Sequence, residues 1–154
     1  AAVGEVNVIE KMKETNAIIG GEGNGGVIYP ECHYGRDALV GVALFLTMLA
    51  KRNMTCTDIK NTLPQYVIAK KRMELTPEID VDMVLREMAK KYENNDVCTI
   101  DGVKINFENE WVHLRKSNTE PIIRIYAESD SETKAEHVAN TIIEDIIQII
   151  RGNL

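Results

Sequence analysis

Residues 115–129 read "RKSNTEPIIRIYAES": the end of one strand, a tight polar loop, then a returning strand. The loop gathers Arg115, Ser117, Asn118 and Thr119, with Lys116 expected to face the same region and Arg124 just beyond. Arginine offers an oxyanion a planar fork of donors. Hydroxyls, an amide and the backbone N–H groups of a tight turn can complete the shell. Pro121 has no N–H, which should keep the loop out of the sheet ladder and hold its shape. The same residues equally suit a polar β-turn capped by its own side chains. Arg124 also suits an exposed strand position between Ile123 and Ile125.

Outward from this stretch, residues 66–154 read β-α-β-β-β-β-α. "YVIAKKRMEL" (66–75) is a strand, and "TPEIDVDMVLREMAKKY" is a helix started by Thr76 and Pro77, with Val81, Val84, Leu85, Met88 and Tyr92 on its apolar face. "VCTI-DG-VKINF" is a hairpin in which Asp101 and Gly102 suit a two-residue turn with positive φ. "WVHLR" is the strand entering the polar loop, and Trp111 is assigned to the core. The closing helix carries Val138, Ala139, Ile142, Ile143, Ile146 and Ile147 as a stripe, with Ser129 and Glu132 fitting a capping box. These elements make an α+β layer: a mainly antiparallel sheet of four or five strands with helices on one side.

Upstream, the pattern is α-β-β-α, too little for a complete domain. A helix over 4–14 leads to a short strand, "AIIGGE", a glycine-rich loop, and a returning strand, "VIYPE". The stretch "ALVGVALFLTMLA" (38–50) is too short to span a bilayer and has charges on both sides; it reads as the middle of a buried helix over 36–52, with Arg36 and Asp37 capping it. The expected division is 1–55, a hinge at 56–65 with room for a short helix before Pro64, and 66–154.

The formal net charge of −6 argues against a nucleic-acid partner, which requires a basic stripe. Cys32, Cys56 and Cys98 are three, far apart and without a CxxC pair, so neither a zinc site nor a disulfide framework is suggested and a reducing, cytoplasmic setting is expected. No signal or membrane-spanning pattern is expected to act. His33, His113 and His137 fall on different elements without ligand spacing. Asp80 and Asp82 suit a helix start better than a metal site.

The glycine loop is the second place where chemistry could sit. Between residues 20 and 26 stand five glycines and two functional side chains, Glu22 and Asn24. Glycine permits close backbone approach, and a carboxylate with an amide could clasp neighbouring sugar hydroxyls. A flexible hairpin tip has the same composition, and neither a P-loop nor a dinucleotide fingerprint is present.

Together, Gly21-Glu22-Gly23-Asn24-Gly25-Gly26 and Arg115–Pro121 resemble the C-terminal half of the α-D-phosphohexomutases, the family of phosphoglucomutase, phosphomannomutase and phosphoglucosamine mutase. The family's first loop reads roughly GE-x-S-G-H; here Asn24 stands for the Ser and Gly26 for the His. The second, R-x-S-G/N-T-E-P, matches throughout, and "GEGNGGVIYPE…RDA" is similar to the archaeal branch. The resemblance implies the end of an α/β third domain followed by a complete α+β fourth domain. It implies Glu22 and Asn24 on sugar hydroxyls, and Arg115, Ser117, Asn118 and Thr119 on the phosphate not being transferred, with Arg124 a further candidate. It implies a parent isomerase that moves a phosphoryl group between a phosphoserine and a hexose phosphate through a bisphosphorylated sugar. This chain shows neither the family's Ser-His-Asn-Pro loop nor its Mg²⁺-holding Asp-Gly-Asp-x-Asp-Arg loop. The expectation is therefore a piece of the enzyme that is inactive alone, with Mg²⁺ and the N-terminal domains outside it. The alternatives are a free-standing sugar-phosphate-binding module and a structural interaction domain.

Overall fold

A computed structural model describes residues 1–76, 78–117 and 120–152. The chain divides into two compact units, Ala1–Pro64 and Gln65–Leu154.

In the first unit, helix α1 (Glu5–Thr15) ends at Asn16, which takes the left-handed conformation with φ 53°. Three short strands follow, β1 (Gly20–Gly21), β2 (Val27–Tyr29) and β3 (His33–Arg36), forming an antiparallel sheet in that order. The third of them was not anticipated. Ile28, fully buried on the middle strand, is the anchor. Helix α2 (Ala38–Arg52) starts at Asp37, whose carboxylate accepts from the Leu39 and Val40 N–H groups at 2.8 and 3.0 Å. Helix α3 (Cys56–Thr62), inside the stretch expected to be a hinge, is opened by a capping box between Thr55 and Asp58.

The expectation of a buried α2 is overturned: none of its residues is buried, and Leu39, Val42 and Leu46 are 82, 53 and 56% exposed. An all-round apolar helix needs cover on every side. Here one side is covered by β2, where a Cβ on Gly41 would come within 3.2 Å of Val27. No single helix among the described residues is long and apolar enough to cross a membrane.

The second unit is α+β. Its strands are β4 (Val67–Glu74), β5 (Asp96–Cys98), β6 (Val103–Asn106), β7 (Trp111–Lys116) and β8 (Ile122–Ser129). They form one antiparallel sheet in the order β4-β8-β7-β6-β5. Helices α4 (Val81–Lys91) and α5 (Glu132–Gly152) share one core with one face of that sheet. Alternation sets the faces: Ile123, Ile125 and Ala127 of β8, with Val112 and Leu114 of β7, meet Val84 and Met88 of α4 and Ala139, Ile142 and Ile146 of α5. The two helices are tied together where Tyr92 donates to Asp145 at 2.6 Å and Lys91 reaches the same carboxylate at 2.7 Å. Burial and this acidic partner push the Tyr92 hydroxyl well above its usual range.

Four details differ from the sequence expectations. Helix α4 starts at Val81 rather than near Thr76, because Asp80 accepts from the Asp82 and Met83 N–H groups. Helix α5 is opened by Ser131, whose Oγ accepts from Lys134 N; Ser129 is instead the buried last residue of β8 and donates to Glu110. The β5–β6 turn is longer than two residues, since the last pair is Cys98–Lys104, and in it Gly102 alone has positive φ, at 74°. Trp111 is not in the core: it lies half-buried on the helix-free face, donating to Glu128 at 2.9 Å beneath the Lys104 ammonium.

Candidate functional site

The polar loop is held at both ends by backbone bonds. Ser117 N donates to Ile122 O at 3.0 Å, and Ile122 N to Glu120 O at 2.8 Å. Pro121 donates nothing, yet its carbonyl accepts from Leu75 N at 2.9 Å, so the loop is fastened to the end of β4 after all. Ser117 is buried, at 9% exposure. Asn118 and Thr119 lie outside the described residues.

Arg115 projects from β7 onto the helix-free face, its Nε 3.2 Å from Asp101 Oδ1. Gly102 makes this contact available. A Cβ there would lie 2.1 Å from the Leu114 carbonyl oxygen, so the turn carrying Asp101 lies against β7 only because residue 102 has no side chain. Arg124 stands directly opposite Arg115 in the β7–β8 register, hence on the same face. Its side chain makes no hydrogen bond or ion pair among the described residues. Lys116 does not share this region. As Arg115's neighbour on a strand it points to the other face, where its ammonium meets Asp82 of α4 at 2.8 Å.

In the first unit the glycine loop links β1 to β2. Glu22 N donates to Gly26 O, Gly25 N to Glu22 O, and Gly26 N to Asn24 Oδ1 at 3.0 Å. Gly25 has φ 93°, a conformation that L side chains rarely adopt. Asn24 Nδ2 lies 3.5 Å from Glu22 Oε2, so the two expected sugar ligands are side by side. Arg36 is a clamp rather than a helix cap. Its N and Nε donate to the two oxygens of Glu5 at 3.0 and 2.9 Å, and a terminal nitrogen lies 3.9 Å from Glu22 Oε2. The Arg36 backbone N–H, then its guanidinium, hold the Glu5 carboxyl below its usual range. A Cβ on Gly26 would fall 2.7 Å from Arg36 Cδ, so the bare position lets the arginine cross the loop. Asn24, Gly26, Arg36 and Glu5 border an open concavity of about 610 Å³.

Glu5 and Asp101 were missed by the sequence reading, because each meets its arginine across 31 or 14 residues of chain. No group of three His, Cys, Asp or Glu side chains among the described residues could hold a metal ion. Asp80 is engaged as a cap and Asp82 by Lys116, so this acidic pair does not present an open ligand set for Mg²⁺.

Fold and loops together define an α+β protein of two units, one with an arginine-bearing loop, the other with an acid–amide pair set among glycines. The family model for phosphoglucomutase/phosphomannomutase, alpha/beta/alpha domain III, matches residues 1–66, and that for the phosphoglucomutase/phosphomannomutase C-terminal domain matches residues 70–145. The chain belongs to the phosphoglucomutase/phosphomannomutase family. It is similar to a phosphoglucosamine/phosphogalactosamine mutase of Sulfurisphaera tokodaii (38% identity, covering 97% of this chain and 32% of that protein). It is also similar to a phosphoglucomutase/phosphomannomutase of Thermococcus kodakarensis (35%, covering 97% and 33%). A crystal structure of a family protein from Burkholderia thailandensis superposes with TM-score 0.69 at 25% identity, covering 97% of this chain and 31% of that one. The chain thus spans about a third of the length of the relatives it matches.

Proposed function

We propose that this chain is the sugar-recognition and phosphate-binding part of a phosphohexomutase. The parent would be an isomerase that interconverts hexose (or hexosamine) 1-phosphate and 6-phosphate through a phosphoserine and a bisphosphorylated sugar. The relatives named phosphoglucosamine mutase support the substrate class. The observation that carries the reading is the pairing of Arg115 and Arg124 on one sheet face at the base of the polar loop.

In this reading the Arg115 guanidinium, still offering its terminal nitrogens while Nε rests on Asp101, donates to two oxygens of the non-reacting phosphate, and Arg124 supplies a second cation. Ser117, with Asn118 and Thr119, completes the shell. Glu22 and Asn24 take the sugar hydroxyls. The phosphate grip is indifferent to which end of the sugar is presented, whereas the acid–amide pair reads ring geometry, so substrate can be held in both orientations. Such positioning supplies much of phosphoryl-transfer catalysis. The phosphoserine and Mg²⁺ belong to other parts of the parent, the chain alone is inactive, and the setting is cytoplasmic.

The test is an NMR titration of the chain with inorganic phosphate and with glucosamine 6-phosphate. Signals of Arg115 and Ser117 should move with both ligands, and those of Glu22 and Asn24 with the sugar phosphate alone. Arg115→Ala should weaken phosphate binding by about 1.5–3 kcal/mol, the loss of charged hydrogen bonds. An unchanged affinity removes Arg115 from the site. In the longer parent, Glu22→Ala should blur hexose choice more than it lowers affinity for phosphate; equal losses would refute that division of roles.

A further inference from the structure

Two residues of β7 hold the same turn. The connection between β5 and β6, residues 99–102, folds back toward the helix-free face, and Asp101 is gripped there twice. Its Oδ1 accepts from Arg115 Nε at 3.2 Å, and its main-chain oxygen meets His113 Nε2 at 2.5 Å. His113 and Arg115 are alternate residues of the strand, and both leave the core to Val112 and Leu114. The bare Cα of Gly102 against the Leu114 carbonyl brings the turn within reach of both side chains.

A backbone carbonyl can only accept, so the bond assigns the proton to Nε2 of His113. This is the only hydrogen bond of the ring among the described residues. Its lateral neighbours in the register are Lys104 of β6 and Tyr126 of β8. Neither competes for the ring. The Lys104 ammonium lies 4.7 Å from the Trp111 ring centroid, and Tyr126 faces the Lys70 ammonium at 5.7 Å.

The bond matters through what it does to Arg115. An arginine can offer an oxyanion its side-on fork, Nε with one terminal nitrogen, or its end-on fork of two terminal nitrogens. With Nε on Asp101, the end-on fork is the one left open. A carboxylate on a connecting turn keeps such a contact only while its own main chain is fixed. His113 fixes it from the strand that also carries Arg115, so anchor and grip share one rigid element.

We propose that His113 is a positioning residue of the phosphate site: by holding the Asp101 carbonyl it keeps that carboxylate on Arg115 Nε and presents the guanidinium end-on. The inference rests on the reading of Arg115 as a phosphate ligand. His113 itself touches no phosphate.

The experiment compares the isotope-labelled chain with His113→Phe and His113→Gln. Glutamine can place an N–H where Nε2 stands, whereas phenylalanine fills the space without a donor; His113→Leu repeats the comparison if the larger ring disturbs the sheet. In the unliganded proteins the Arg115 Nε–H should be protected from water exchange in the unsubstituted chain, lose protection in His113→Phe, and regain it in His113→Gln. Affinity for inorganic phosphate should fall about three- to tenfold in His113→Phe, the scale of one hydrogen bond, and return in His113→Gln. On the His113→Phe background, Asp101→Asn should cost little more, because the two residues act as one unit. Unchanged Arg115 protection in the variants without a donor, failure of glutamine to restore it, or additive losses in the pair would each overturn the assignment. If Arg115 loosens and recovers in this way while phosphate moves no signal in any of the proteins, His113 still positions Arg115 and the phosphate reading of the loop falls.

Discussion

Replacing Gly102 by Ala should damage fold and site together. Residue 102 has φ 74°, and a left-handed L-residue costs roughly 1–2 kcal/mol. The new Cβ would also stand 2.1 Å from the Leu114 carbonyl oxygen, a backbone atom within the sheet that cannot swing aside. Together these should remove about 2–4 kcal/mol from the second unit, the range of a strained backbone position made worse by overlap. Trp111, the only tryptophan, sits on β7 in that unit, so its fluorescence during urea unfolding reports the unit rather than the whole chain. With slopes of about 1–3 kcal/mol/M, the midpoint should fall by roughly 0.7–4 M. Gly102→Asn separates the two causes: asparagine tolerates the left-handed region but keeps the Cβ, so it should recover only the smaller part. A midpoint unchanged by Ala, or fully restored by Asn, would refute the close-approach argument. The surviving folded protein should also grip phosphate less well, since Asp101 no longer steadies Arg115.

Two further outcomes follow from the clamps and caps. Arg36→Met should raise the Glu5 carboxyl only part of the way to its ordinary value, because the backbone N–H of residue 36 still donates to it; a carboxyl-carbon NMR titration would show a full return if the main-chain bond is unimportant. Asp37, Asp58 and Asp80 all have lowered folded pKa values, Asp37 and Asp80 chiefly through backbone N–H donors and Asp58 chiefly through the Thr55 hydroxyl. A depressed folded value means the cap's contribution is present above the unfolded pKa, near 3.8, and is lost as pH falls through the folded one. Protection of the amides at the start of α4, taken relative to the intrinsic exchange rate at each pH, should therefore fall on acidification below about pH 4, and Asp80→Asn should flatten that dependence; an equally steep profile in the variant would exclude Asp80 as its source.

The sheet of the second unit was legible because buried and exposed residues alternate along β6, β7 and β8, and alternation is a property of adjacent residues. The same parity rule separates Arg115 from Lys116, and applying it would have sent the lysine to the helix face from the outset. Ser129 and Ser131 both precede acidic residues, so composition could not choose between them; the choice was made by pairing, which carries β8 through Ser129. Asp101 and Glu5 were invisible for a different reason: their contacts depend on a turn folding back and on a strand passing a helix. The apolar run of α2 announced a need for cover but not where cover would come from. The loops themselves were readable as motifs, since glycines and a proline mark where backbone must turn.

The placement of β8 has a consequence for synthesis. It lies between β4 and β7, so neither reaches its main partner until the last strand is made. A nascent chain that has emerged as far as Glu120 holds β4 as a lone ribbon and β5–β7 as a meander with its inner edge open. Val67 meets Ser129 only after nearly the whole unit is outside the ribosome, and such distant pairings close late and slowly. Until then the edges of β4 and β7 are exposed to other chains, so a pause in translation before residue 122 would hold the nascent protein in its most aggregation-prone state.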